Sequence, residues 1–201
     1  MIDFILASKS PRRCEILKQY GFSFRVAESK ANEKHIEGKL NEKEILENIK
    51  YNSAIKAYSV LCENKNEVIV SADTTVVKNN VCLNKPHDIN EAFLYLKLLS
   101  GSSHEVYTAI TVCAEGYQKT EIFKTVVYFR ELSDNEILNY IEKFKPLDKA
   151  GAYGIQDFVS PDNAENPPSE SFVSKIDGSF YNVMGICPIG LDKMLKDYKS
   201  L

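Results

Sequence analysis

The passage from "FILA" into "SKSPRRCEIL" constrains the fold of this chain more than any other stretch. Phe4 to Ala7 is a short apolar run that suits a strand. Ser10 then offers a helix N-cap, with Pro11 at the first helical position. A strand, a polar turn and a helix N-terminus bring free backbone N–H groups to one point. Arg12 and Arg13 fall in the first helical turn, where the helix dipole disfavours cations by roughly 0.3 to 1 kcal/mol. A bound anion reverses that preference, and arginine suits bidentate phosphate contact. Two readings stand at this point: two solvated arginines, or an anion site.

The same alternation continues along the chain. Asn41 with Glu44 forms a capping-box start for a helix to about Glu63, with Ile45, Ile49, Ala57 and Val60 on one face. Val68 to Val77 reads as a strand, Asn79-Asn80 as a tight turn, and Val81 to Leu83 as the return. Asp88 with Glu91 opens the next helix, ended near Gly101, and Ser133 with Glu136 opens another through Phe144. Val106 to Cys113 and Ile122 to Phe129 pair as a hairpin around Glu115-Gly116. Phe172 to Ile176 and Phe180 to Val183 flank Asp177-Gly178, a second hairpin signal. Leu191, Met194, Leu195 and Tyr198 give a closing amphipathic helix, and Cys14, Leu17 and Tyr20 a stripe on the first one. Residues 157–171, "DFVSPDNAENPPSES", read as an inserted, mobile surface loop. Strands interleaved with helices, some of them hairpin neighbours, give an α/β fold with a mixed sheet flanked by helices.

Composition narrows the partners. Acids outnumber bases, 28 to 25, which argues against a generic nucleic-acid binder, a class that carries a basic excess, and ranks that reading last. No apolar run approaches the roughly 20 residues that span a bilayer, and the first residues carry no signal-peptide pattern. The five scattered cysteines, none at Cys-x-x-Cys spacing, read as reduced and mostly buried thiols of a cytoplasmic protein.

Four further stretches carry candidate chemistry. Asp73 ends the β-branched run of "VIVSADTTVV", where a carboxylate needs a partner or a metal. Lys85 precedes a proline in "LNKPHD" and is therefore extended. "LDKAGAYGIQ" combines glycines that admit a close ligand with Gln156, whose amide could read a base edge. His104, in "GSSHEVYTAI", shares a strand face with Thr108 and reads as structural.

These stretches fall in one order. "LASKSPRR", "SADTTVV", "NKPHDINEAFLYLKLLSGSSHEVYTAI", "PLDKAGAYGIQ" and "IDGSFYNVMG" together resemble the Maf family of nucleoside triphosphate pyrophosphatases. The resemblance implies one Maf-like domain over 1–201, with two lobes around a central substrate cleft in a strongly twisted sheet. It implies cleavage between the α and β phosphates, with Asp73 as general base and a divalent cation (magnesium, manganese or cobalt) at Asp73 and Glu33. Ser8, Ser10, Arg13 and Lys85 match phosphate-contacting positions. Arg12, Thr74 and Gln156 match the discriminating positions of the subgroup that acts on dTTP and UTP. The family's Lys-Ala pair aligns with Ser53-Ala54, leaving Lys50 or Lys56 to replace its lysine, with Lys56 favoured. Two other departures are Asp157, where the family has glycine after Gly-Ile-Gln, and "GICPIGL", which lengthens the family's ending by a residue. The implied partners are a nucleoside triphosphate and a second copy in a homodimer, with no nucleic acid and no membrane; the implied role is house-cleaning of modified pyrimidine nucleotides. Two alternatives remain: a purine substrate such as 7-methyl-GTP, and a non-catalytic nucleotide-binding regulator of cell division.

Overall fold

The computed structural model describes residues 2–200. Its centre is a mixed sheet of seven strands in the order β2-β1-β3-β5-β6-β7, with β4 on the free edge of β3. β1 (Phe4–Ala7) pairs in parallel with both β2 (Phe24–Ala27) and β3 (Ile69–Lys78). From β3 onward every pairing is antiparallel: β4 (Val81–Leu83), β5 (Ser103–Ala114), β6 (Tyr117–Phe129) and β7 (Val173–Asp177).

The two parallel crossovers decide where a ligand can sit. α1 (Pro11–Gln19) links β1 to β2 on one side, and α2 (Glu42–Leu61) brings the chain back to β3 on the other. Right-handed crossovers in opposite directions put their helices on opposite faces of the sheet. The core follows that rule. Phe4, Leu6, Val70 and Ala72 pack with Ile16 and Leu17 of α1 and with Leu191, Met194 and Leu195 of α6 (Pro188–Lys199). Ile5, Ala7 and Ile69 face Ala57 and Val60 of α2. β1 therefore ends at a topological switch point, the place where open α/β sheets bind ligands.

The register opens a gap there. β1 meets β3 only at Ile69 and Val70, and β4 meets it only from Val76 to Lys78. β5 fills the opposite edge of β3 throughout. Ser71 to Thr75 thus have no strand on one edge, and Asp73 and Thr74 lie in the middle of that opening. Asn79 and Asn80, at φ 51° and 66°, make the tight turn that sends β4 back beside β3.

The helix starts follow their caps. Asn41–Glu44 and Ser133–Glu136 close full capping boxes on α2 and α4 (Asp134–Phe144). Asp88 caps α3 (Ile89–Leu99), while Glu91 accepts from the His87 N–H instead of the cap's own.

Four expectations need correction. Phe180 to Val183 is not a strand: Ser179 accepts from the Asn182 N–H and starts α5 (Phe180–Met184), so Asp177-Gly178 joins a strand to a helix. The apolar stripe of α1 is Ile16 and Leu17, with Cys14 only half-buried and Tyr20 exposed. Only Cys82 and Cys113 are buried among the five free cysteines. The 157–171 segment is a surface loop over 160–170, but its ends are anchored: Val159 is buried, Phe158 stacks on Phe172 at 4.5 Å, and Arg130 donates to the Glu170 and Ser171 carbonyls. No helix among the described residues is long and apolar enough to cross a membrane.

Candidate active site

Alternation along β3 sends neighbouring residues to opposite faces, Asp73 toward α2 and Thr74 toward α1 and α5. The gap joins the two surroundings.

On the α2 face, Lys56 is the hub. Its Nζ lies 2.7 Å from Asp73 Oδ1 and 2.7 Å from Glu33 Oε2. Asn52, one helical turn earlier on the same face, donates from Nδ2 to the Lys34 carbonyl at 3.0 Å and to Asp73 Oδ2 at 3.4 Å. Its Oδ1 accepts the Lys34 N–H at 2.8 Å, so the amide pins the irregular segment that carries Glu33. Sequence reasoning missed Asn52, although its i, i+4 spacing to Lys56 was available as a signal. Ser53 plays a different part. It is fully buried and bonds Thr111 Oγ1 at 2.8 Å and Ser71 Oγ at 3.2 Å, beneath the sheet side of the helix. Lys56, followed by Ala57, is thus the lysine of this helix that reaches Asp73; Ser53 does not reach it, and Lys50 is exposed.

On the α1 face, Arg13 is held from three sides. Nε donates to the Gly185 carbonyl at 2.8 Å, Nη1 to Ser8 Oγ at 3.1 Å, and Nη2 to Thr74 Oγ1 at 3.1 Å. Burial pulls the guanidinium below its ordinary pKa, and the charges of Asp73 and Glu33 oppose that shift. Every direct acceptor is neutral, so the positive charge is left for a ligand. The frame beneath is rigid. Thr108 bonds Thr74 at 3.0 Å and the Asn182 carbonyl at 3.0 Å, while the Asn182 amide holds Val106 and Thr125. This fixes α5, whose C-cap Gly185 adopts φ 117° to turn its carbonyl onto Arg13.

The start of α1 is open to an anion. Ser10 caps it by position without a side-chain bond, and no acid lies in its first turn. Asn41, Asp88 and Ser133 all close theirs. The Ser10 N–H donates to Ser8 Oγ at 3.2 Å, which folds the turn inward.

The remaining positions rim the gap. Beyond β4 the chain runs on past Val76, bringing exposed Lys85 to the side opposite Ser8 and Arg13. Lys85 makes no ion pair among the described residues. The Gly151 N–H donates to the Asn84 carbonyl at 3.3 Å, which lays the 146–157 segment along this rim. Gly151 is required twice over: its φ is 69°, and a Cβ would come within 3.0 Å of Val76. Arg12 reaches the same segment through Asp148 at 3.0 Å. Burial pushes the Asp148 carboxyl up, but Arg12 and Lys149 outweigh it and the group lies below its ordinary value. Gln156 is exposed on this segment with no protein hydrogen bond to its side chain. The structure thus gathers Ser8, Arg13 and Thr74 in one set and Glu33, Lys56 and Asp73 in another. Ser10, Arg12, Lys85 and Gln156 stand at the margin without side-chain bonds to either.

His104 is structural, as expected. It is buried, bonds the Tyr153 hydroxyl at 2.7 Å, and burial holds its pKa down to about 3. Among the described residues no three His, Cys, Asp or Glu side chains converge as a metal-ligating group.

An α/β sheet with a switch-point gap, an uncompensated arginine on one side and paired carboxylates on the other defines an anion-binding protein equipped for proton transfer. The chain belongs to the family of Maf-like proteins, whose pattern it matches over residues 3–198. It is 40% identical to a dTTP/UTP pyrophosphatase of Bacillus pumilus, over 92% of this chain and 91% of that one. It is also 40% identical to a dTTP/UTP pyrophosphatase of Bdellovibrio bacteriovorus, covering 95% of each. A protein of the same name from Caldicellulosiruptor bescii is 39% identical, over 98% of this chain and 94% of that one. The likeness to the structure of the Staphylococcus aureus Ham1 protein, TM-score 0.38 at 12% identity over 66% of this chain and 72% of that one, is too loose to inform either fold.

Proposed function

We propose that this chain hydrolyses dTTP and UTP to the nucleoside monophosphate and pyrophosphate. The observation that carries the reading is the pair of unlike sets on either side of β3: a fixed guanidinium facing a proton acceptor across one gap. The names of its relatives point the same way. Neither favours a purine substrate or a non-catalytic regulator.

The residues divide the work. Arg13, the open start of α1, Ser8 and Ser10 take the phosphates on one side of the gap, and Lys85 takes them on the other. Asp73 accepts a proton from the attacking water at Oδ2, the oxygen that Lys56 leaves free. Lys56 holds Asp73 and Glu33 at fixed separation. Gln156 meets the base, and Arg12 and Thr74 shape the preference.

A divalent cation fits the donor set. Two carboxylates already converge on a single cation, the Lys56 ammonium, and leave one net negative charge. Magnesium commonly takes one or two protein carboxylates and completes its shell with phosphate oxygens and water. Asp73 and Glu33 would hold it. When bound, it supplies charge neutralisation on the phosphates and polarises water.

The test is pyrophosphate release from dTTP, UTP, CTP, GTP, 7-methyl-GTP and ITP, with magnesium or manganese. Release from dTTP and UTP first is expected. Release confined to purines, or binding without release, would overturn the reading.

A further inference from the structure

The segment that carries Gln156 is tied by a single hydroxyl. Tyr140, a buried residue of α4, accepts the Gly154 N–H at 3.1 Å and donates to Asp157 Oδ2 at 2.7 Å. Gly154 and Asp157 are the two ends of the short 3-10 turn that presents Ile155 and Gln156. One atom therefore closes that turn from both ends. Tyr140 is itself tightly packed, with its ring 4.9 Å from Phe144, 4.9 Å from Phe158 and 5.2 Å from Phe172. Ile155 is buried and anchors the turn from below.

The space over Gly154 shows what the turn does with Gln156. A Cβ on Gly154 would lie 2.6 Å from Gln156 Nε2 and 2.8 Å from Asp157 Oδ2. The amide nitrogen and the carboxylate thus share the hollow that the missing side chain leaves. No hydrogen bond joins Nε2 to Oδ2, but the negative charge beside the hollow favours the amide with its nitrogen inward and Oε1 outward. An outward Oε1 accepts from the N3–H of uracil or thymine. Cytosine has no hydrogen at N3. A free glutamine could rotate its amide and suit either base, so discrimination needs the orientation to be held from the protein side.

We propose that Tyr140 and Asp157 are positioning residues that set the base preference by fixing the turn that carries Gln156 and by placing the Asp157 charge beside its amide, without touching the nucleotide. The inference rests on the reading of this chain as a dTTP/UTP pyrophosphatase with Gln156 at the base. It gives Asp157, the residue by which this chain departs from the family's Gly-Ile-Gln-Gly, a reason to be there.

The experiment measures kcat and KM for dTTP, UTP and CTP in the wild type, Tyr140→Phe, Asp157→Ala and Asp157→Asn. Phenylalanine keeps the ring packing and removes the hydroxyl. Asparagine keeps an acceptor for that hydroxyl and serves as the conservative rescue. In Tyr140→Phe and Asp157→Ala the preference for dTTP over CTP should fall about tenfold, mostly through KM, with kcat for dTTP within about twofold. Asp157→Asn should retain most of the preference. Unchanged ratios in Asp157→Ala, or dTTP and CTP rates falling together, would overturn the clamp. Should Tyr140→Phe fail to fold, half-buried Asp157 still decides the matter. A wild type that treats CTP like dTTP would instead sink the assignment of Gln156 to the base, which separates the two failures.

Discussion

Asp73 and Thr74 are neighbours in the chain and opposites in surroundings. Asp73 meets Lys56, Asn52 and, through Lys56, Glu33: charged groups that balance to a single negative charge. Thr74 meets Arg13, Thr108 and the Gly185 carbonyl: one positive charge among neutral partners. The difference teaches why the strand alternation is useful. A phosphate chain laid across the gap finds attraction on one face and a proton acceptor on the other. Had Arg13 shared the Asp73 face, it would have neutralised the one negative charge that Lys56 leaves there.

The sharpest way to break this contrast is to neutralise the acceptor. Asp73→Asn keeps the shape and both neighbours but cannot take a proton. Pyrophosphate release from dTTP should fall about 10³-fold, within the range removal of a general base produces. Unchanged thermal unfolding would show that the loss is chemical. A mutant with a tenth of wild-type activity would remove Asp73 from the proton path.

The next effect falls on the opposite face and on stability. Arg13→Lys keeps the charge but cannot reach Gly185, Ser8 and Thr74 together. Leaving these partly buried acceptors unpaired should cost about 3 kcal/mol in denaturant unfolding. KM for dTTP should rise as well, since the phosphates lose a fixed fork. If stability stays within error while KM rises, Arg13 is a surface ligand and the contrast between the faces is wrong.

A third test probes how that neutral face treats a second base. His104 lies on the same face of the sheet, two alternations along β5 from Thr108, and burial holds its pKa to about 3 against an ordinary value near 6.5. The unfolded chain therefore binds a proton that the folded one refuses between those values. The contribution is complete above pH 6.5 and lost as pH falls toward 3. Wild type should lose about 2 kcal/mol between pH 6.5 and 5 from this group alone. Urea midpoints at the two values for wild type and His104→Gln would show it as a difference in slope. Equal slopes would mean that His104 titrates normally.

Much of this was legible before any coordinates. The "FILA" run, Ser10 and Pro11 placed a strand-to-helix corner with free backbone N–H groups, because strand and capping signals are local. Asn41, Asp88 and Ser133 announced three helix starts for the same reason. Asp73 stood out as a carboxylate after an apolar run, although it proves to lie in the middle of β3 and not at a strand end. The gap in the sheet was not legible, since it depends on the register of β1 and β4 against β3. Phe180 to Val183 misled because aromatic and β-branched residues favour strands, and only the Ser179 cap and the buried Asn182 make them helical. Lys56 and Ser53 lie one turn apart on the same helix, so periodicity cannot separate them. The hydrogen bonds of Ser53 to Ser71 and Thr111 do so.

The smallest effect sharpens the Asp73 side. Asn52 bonds no charged group except the Asp73 carboxylate, and its stronger bonds go to the Lys34 backbone. Its work is therefore to hold the Glu33 segment against α2, while Lys56 sets the spacing of the two carboxylates. Asn52→Leu fills the same space and removes both backbone bonds. Glu33 should then swing away from Asp73 more often, leaving the Lys56 contact to hold it alone. We expect kcat for dTTP to fall about tenfold and the manganese concentration for half-maximal rate to rise several-fold, since each buried hydrogen bond contributes on the order of 1 kcal/mol. KM for the nucleotide should barely move, because the groups proposed to take the phosphates sit across β3. A rise in KM without a change in the metal requirement would place Asn52 with the substrate and not with the carboxylates.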